Sequence, residues 1–182
     1  MLPAKKHRIL NTAILIVILG VLTYGGSLIK DRFDSVSSIN IERSEIAQIV
    51  IDEGYRSCKY NDTELKSTIG FGHLVKDSDR FGRCISPKEA VELLANDYAI
   101  AKESVIRLYP WALGDAQRAL INLHYQMGES RVKGFKKALQ ALENKDYYLA
   151  AAEFLDSKWA KQSPRRAQRI AGRIMAIEDS ML

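Results

Sequence analysis

Histidine is scarce in this chain. There are three in 182 residues, at His7, His73 and His124, and none has the spacing of a metal-ligand set. No metal site and no cofactor are therefore expected. There is no internal repeat and no low-complexity tract. Basic residues are plentiful but lack any nucleic-acid reading motif, so nucleic acid is not the expected partner. Only two cysteines occur, Cys58 and Cys84. They are either a disulfide, favoured in an oxidising compartment, or two unpaired, partly buried thiols. A disulfide would close a loop of 84 − 58 = 26 positions.

Charge is also missing over one long stretch. Lys5, Lys6, His7 and Arg8 form a basic cluster, and the next charge is Lys30. As a helix, the apolar run from Ile9 to Ile29 would be about 31 Å long, enough to cross a bilayer core. The positive-inside rule places the basic cluster in the cytoplasm and the rest of the chain outside it. The reading is an uncleaved signal anchor over residues 1–29. A cleaved signal peptide is the alternative: Gly25 and Gly26 are small, but no A-x-A site is present. The polar residues Asn11, Thr12, Thr23, Tyr24 and Ser27 make the anchor a weak one, open to release from the membrane.

The rest has ordinary globular composition, with 47% hydrophobic and 27% charged residues. The net charge is +5, which suits anionic polymers or surfaces. Residues 30–43 are polar and Ser-rich and read as a linker. From residue 44 a domain follows. Its first helix starts at Asn40 or Ser44 and stops at Gly54, which places Glu53 on the last turn. Residues 55–73 alternate Tyr, Ile, Thr and Phe with turn residues, and so predict a small antiparallel sheet. Ser86-Pro87-Lys88-Glu89 is a capping box opening a helix with Val91, Leu94, Tyr98, Ala101, Val105 and Leu108 on one face. After Pro110 the pattern is helical. Asp115 is a candidate cap, Gly128 and Gly134 are breaks, and Ser163-Pro164 begins the last helix. The class is α+β: a small sheet lobe, a long helix, then a helical lobe.

Glycoside hydrolysis needs a proton donor and a second carboxylate, and Glu53 and Asp62 are candidates. A negative charge at a helix C-terminus is disfavoured, which favours the neutral acid at Glu53. Asp62 follows after 62 − 53 = 9 positions, across one strand, and Thr68 lies on the next strand. Spacing alone leaves these three open as ordinary helix-end, turn and strand residues.

The strings IDEG (51–54), YNDTE (60–64), TIGFGHL (68–74), ALINLHYQMGE (119–129) and SKWAKQSPRRAQR (157–169) resemble, in order, the T-even phage lysozyme family, glycoside hydrolase family 24. The resemblance covers residues 44 to 170. It implies a lysozyme-like fold and cleavage of the β-1,4 bond between N-acetylmuramic acid and N-acetylglucosamine in peptidoglycan. Glu53 matches the general acid. Asp62 and Thr68 match the pair that holds the attacking water in an inverting hydrolysis. Leu74 and Tyr125 match substrate-cleft positions, and Gln126 lies beside the latter. His73 and Asp97 match a structural ion pair, and Arg166 a basic residue facing the general acid. Ala138 and Glu153 stand where the family can use polar groups for substrate. The segment between Leu74 and Ser86 is shorter than in the family's best-known member. Cys84 falls where the family's sheet edge returns toward the strand carrying Cys58.

With the anchor, these expectations describe a monomeric endolysin at the host inner membrane, its N-terminus cytoplasmic and its catalytic domain (44–182) periplasmic, or released there. Its partners would be peptidoglycan and inner-membrane lipid. A non-catalytic peptidoglycan-binding module is the alternative.

Overall fold

A computed structural model describes residues 36–62 and 65–180, with side chains described from Arg43 onward. The anchor expected over residues 1–29 lies outside the described residues. Among the described residues no helix is long and apolar enough to cross a membrane. The chain divides into two compact units, Met1–Asn96 and Asp97–Leu182.

In the first unit, helix α1 (Val36–Glu53) leads into a three-stranded antiparallel sheet, β1 (Arg56–Asn61), β2 (Ser67–Gly70) and β3 (His73–Leu74), in the order β1-β2-β3. The helix begins earlier than the sequence reading placed it, so residues 36–43 of the expected linker are helical. No Pro or Gly interrupts the chain from Val36 to Glu53, and nothing stops the helix from extending backward. It stops where expected. Gly54 takes a left-handed φ of 67°, and its N–H donates to the Val50 carbonyl at 3.0 Å. Ile49, Val50, Ile69, Phe71 and Ile85 are buried and form this unit's apolar interior with Ala90, Val91 and Leu94.

The segment after β3 is short but fastened. Asp79 accepts from the Lys76 N–H at 2.7 Å, and Phe81 meets the His73 ring edge-on at 6.0 Å. The chain then runs beside β1. Lys59 donates its N–H to Arg83 at 2.9 Å, and Ile85 donates to Ser57 at 2.7 Å. Between these two hydrogen bonds Cys58 and Cys84 are bridged as a disulfide.

Helix α2 (Pro87–Leu108) opens on the capping box read from the sequence. The Ser86 hydroxyl accepts from the Glu89 N–H at 3.2 Å, and Glu89 accepts from the Ser86 N–H at 2.7 Å. The Ser86 N–H, and after it the Ser86 hydroxyl donating to the same carboxylate oxygen at 2.7 Å, hold the Glu89 carboxyl below the usual carboxylate range. Val91, Leu94, Tyr98, Ala101 and Val105 are buried along this helix, as their spacing predicts.

The second unit is helical: α3 (Gly114–Val132), α4 (Lys136–Glu143), α5 (Tyr147–Leu155), α6 (Lys158–Gln162) and α7 (Pro164–Asp179), with the end of α2. Asp115 is not a cap. It lies inside the first turn of α3, where Arg118 binds its carboxylate, and Leu113 occupies the capping position. Gly128 breaks α3 internally at φ 78°, ψ 163°. Short helix α6 was not expected. Ser157 caps it, accepting from the Ala160 N–H at 3.0 Å. Ala167, Ile170, Ala171 and Ile174 bury the inner side of α7 beside Phe154 and Leu142 in this unit's interior.

His124 is a core residue, 4% exposed, packed edge-on against the Tyr109 ring at 5.6 Å. Neither ring nitrogen has a hydrogen-bond partner among the described residues. Burial pushes its pKa below the ordinary value. Glu129 opposes this, while Lys133 and Arg107 reinforce it. A group with a depressed basic pKa gives its full stability above the unfolded value, about 6.5. That stability is lost as pH falls from there, because the unfolded chain takes up the proton first. Glu129 does not titrate in that window. Lys133, Ser104 and Arg107 bind its carboxylate and bring its pKa to about 2. The second unit should therefore unfold at a lower temperature at pH 5 than at pH 7.5, and His124→Phe should flatten that difference. Fluorescence of Trp111 and Trp159, both in this unit, reads the transition; equal slopes for the two chains would refute the assignment.

Candidate active site

Glu53, Asp62 and Thr68 all belong to the first unit, where three different local structures position them. Glu53 is the last residue of α1, half-buried, held by the helix stop at Gly54. Asp62 follows β1 directly. Its N–H donates to the Lys66 carbonyl at 2.9 Å, and its Oδ1 accepts from the Lys66 N–H at 2.9 Å. The Leu65 N–H donates to the Asp62 carbonyl at 3.0 Å, and Leu65 takes a left-handed φ of 62°. The turn thus fixes Asp62 through both its backbone and one carboxylate oxygen.

Thr68 is buried on β2, and its hydroxyl donates to the Lys66 carbonyl at 3.1 Å. That use of the proton leaves the oxygen's lone pairs available as acceptors. In the β1–β2 register Thr68 stands opposite Tyr60, and Ser67 opposite Asn61. Cross-strand partners share a face of the sheet, so Tyr60 and Thr68 lie side by side. The Arg56 guanidinium sits 4.4 Å over the Tyr60 ring. Burial raises the Tyr60 pKa, Arg56 opposes that, and the charges of Glu53 and Asp62 add to it. Tyr60 therefore stands within electrostatic reach of both carboxyl groups. The sequence reading did not single it out. Its place one residue before Asn61-Asp62, on a strand pairing with that of Thr68, was the available signal.

His73 is buried and meets Asp79 at 3.2 Å from its Nε2. Asp97, which the resemblance matches to the same ion pair, lies in the second unit; Asp79 is a His73 partner that the sequence reading did not name. The Asp79 pKa is lowered, first by the Lys76 backbone N–H and then by His73, against a desolvation that raises it. Asp79 could not be seen as a partner from sequence, because the bond depends on how the short segment after β3 turns. Leu74 is exposed on β3, with Thr68 as its register partner.

Tyr125, Gln126 and Arg166 lie in the second unit. The Gln126 amide is fixed at both ends. It accepts from the Trp159 indole N–H at 2.9 Å and donates to the Ser163 hydroxyl at 3.2 Å. One amide hydrogen and one lone pair remain to offer a ligand. Ser163 stands at the capping position of α7, and its side chain makes no capping hydrogen bond. Arg166 is buried, unlike Lys158, Lys161 and Arg165, exposed basic residues near it in sequence. Ala138 is buried and Glu153 half-buried.

The phage lysozyme family is matched over residues 51–174. Among curated proteins, the chain is 32% identical over 146 residues to "Probable T4-type lysozyme 2" of Dictyostelium discoideum, covering 65% of this chain and 86% of that one. It is 31% identical over 137 residues to "Peptidoglycan hydrolase gp36" of Pseudomonas phage phiKMV, covering 72% of this chain and 15% of that one. It is also 31% identical over 145 residues to "Pre-baseplate central spike protein Gp5" of Enterobacteria phage T4, covering 65% and 25%.

Proposed function

The chain belongs to the phage lysozyme family, and from that premise we propose that it is a muramidase that hydrolyses the β-1,4 bond between N-acetylmuramic acid and N-acetylglucosamine in peptidoglycan, with inversion. One observation carries the reading: a helix-end glutamate, an aspartate whose backbone and carboxylate are both held by its turn, and a buried threonine on the neighbouring strand, all within one compact unit. In this mechanism Glu53 gives its proton to the leaving glycosidic oxygen. Asp62 takes a proton from water as that water attacks the anomeric carbon, and the Thr68 oxygen accepts a hydrogen bond from the same water. Leu74, Tyr125 and Gln126 serve the sugar chain.

The test is product chemistry. Purified peptidoglycan incubated with the full chain should release soluble fragments whose new reducing ends are muramic acid, with the α anomer formed first. New reducing ends on glucosamine, or none at all, would overturn the reading.

The apolar stretch Ile9–Ile29 and its preceding basic cluster support a signal anchor, and hence an endolysin that acts from the host inner membrane on the periplasmic wall at phage release. Full-length chain expressed in a Gram-negative host should sediment with inner membranes and keep its N-terminus. A soluble mature chain beginning near Ser27 would refute retention of the anchor.

A further inference from the structure

Gly72 lies between β2 and β3 with φ at +82°, in the left-handed region. A methyl group placed on its Cα would meet Glu53 Oε2 at 3.0 Å, Cδ at 3.3 Å and Cγ at 3.4 Å. The three nearest atoms all belong to one side chain. The Glu53 carboxyl therefore rests against the bare backbone of Gly72.

We propose that Gly72 is a positioning residue for the hydrolysis, its missing side chain setting where the Glu53 carboxyl stands relative to Asp62 and Thr68. The proposal rests on the reading of Glu53 as the general acid. A donor must come within hydrogen-bond reach of the oxygen it protonates, about 2.6–3.2 Å. A carbon at 3.0 Å from Oε2 is closer than carbon and oxygen ordinarily sit, so the carboxyl must give way by a few tenths of an ångström. A displacement of about 1 Å at a reacting group costs about a hundredfold in rate.

A left-handed φ alone would also favour glycine, and Gly70 separates the two explanations. Its φ is +66°, but a methyl there would meet Ile85 Cδ1 at 3.4 Å and Ala90 Cβ at 3.5 Å, and no atom of Glu53. Gly70→Ala thus carries the backbone cost without touching the acid.

The experiment compares full-length Gly72→Ala and Gly70→Ala in kcat, KM, the pH dependence of kcat, and melting temperature. Both variants should lose thermal stability. Only Gly72→Ala should lower kcat, by about threefold to tenfold for a shift of a fraction of an ångström, with KM held and the alkaline limb of the pH profile displaced. Equal kcat values for the two variants would overturn the proposal. If Gly72→Ala melts too low to assay, adding Glu53→Ala removes the atoms its methyl strikes and should recover part of the lost melting temperature, the backbone cost remaining; the same addition to Gly70→Ala should recover nothing. No recovery at Gly72 would also overturn it. An unmodified chain that releases no reducing ends would defeat the muramidase reading, whereas the stability coupling between positions 53 and 72 is measured without activity.

Discussion

Glu53→Gln should lower turnover on peptidoglycan by about a thousandfold, the middle of the range that a positioned general acid supplies. Glutamine has nearly the same shape as the acid. It keeps the contact with Gly72 and the helix stop at Gly54, so the fold has no reason to change. What it lacks is the transferable proton. KM should stay near the unmodified value, since the loss is felt only as the glycosidic bond breaks. Release of reducing ends, with the melting temperature as a control, decides the matter. A folded Glu53→Gln chain that turns over normally would remove Glu53 from the role.

Loss of the Cys58–Cys84 link should cost the first unit about 3.5 kcal/mol, the chain-entropy value for a closed loop of this length. The loop spans 26 positions. The link sits between two backbone hydrogen bonds, Lys59 to Arg83 and Ile85 to Ser57, so it supports a narrow ladder with few other ties. The paired change Cys58→Ser, Cys84→Ser tests this without reductant. Hydrogen exchange at the Lys59 and Ile85 amides should accelerate by about 10²–10³-fold, the same energy expressed as a ratio, while amides of α7 in the second unit should keep their protection. Unchanged exchange at Lys59 and Ile85 would show that the ladder does not depend on the bridge.

Much of this molecule was legible from local chemistry. The capping box at Ser86–Glu89, the stop at Gly54, the break at Gly128 and the buried face of α2 each follow from residues a few positions apart. The same holds for the helix-end, turn and strand placements of Glu53, Asp62 and Thr68, although spacing alone did not separate them from ordinary charges. What escaped depended on competition or on long-range placement. Asp115 has the chemistry of a cap, but Arg118 draws its carboxylate into the helix. Tyr60 and Gly72 gain significance only through what the fold brings beside them. Asp79 reaches His73 through a turn that no periodicity announces.

The three groups assigned to the chemistry fall between positions 53 and 68, a separation of 68 − 53 = 15. The entropy of bringing chain segments together grows only with the logarithm of their separation, and short separations close fast. Glu53, Asp62 and Thr68, in the roles proposed for them, would thus be a low-contact-order assembly. In a chain synthesised from its N-terminus, contacts this local should form ahead of the longer-range pairing of Cys58 with Cys84.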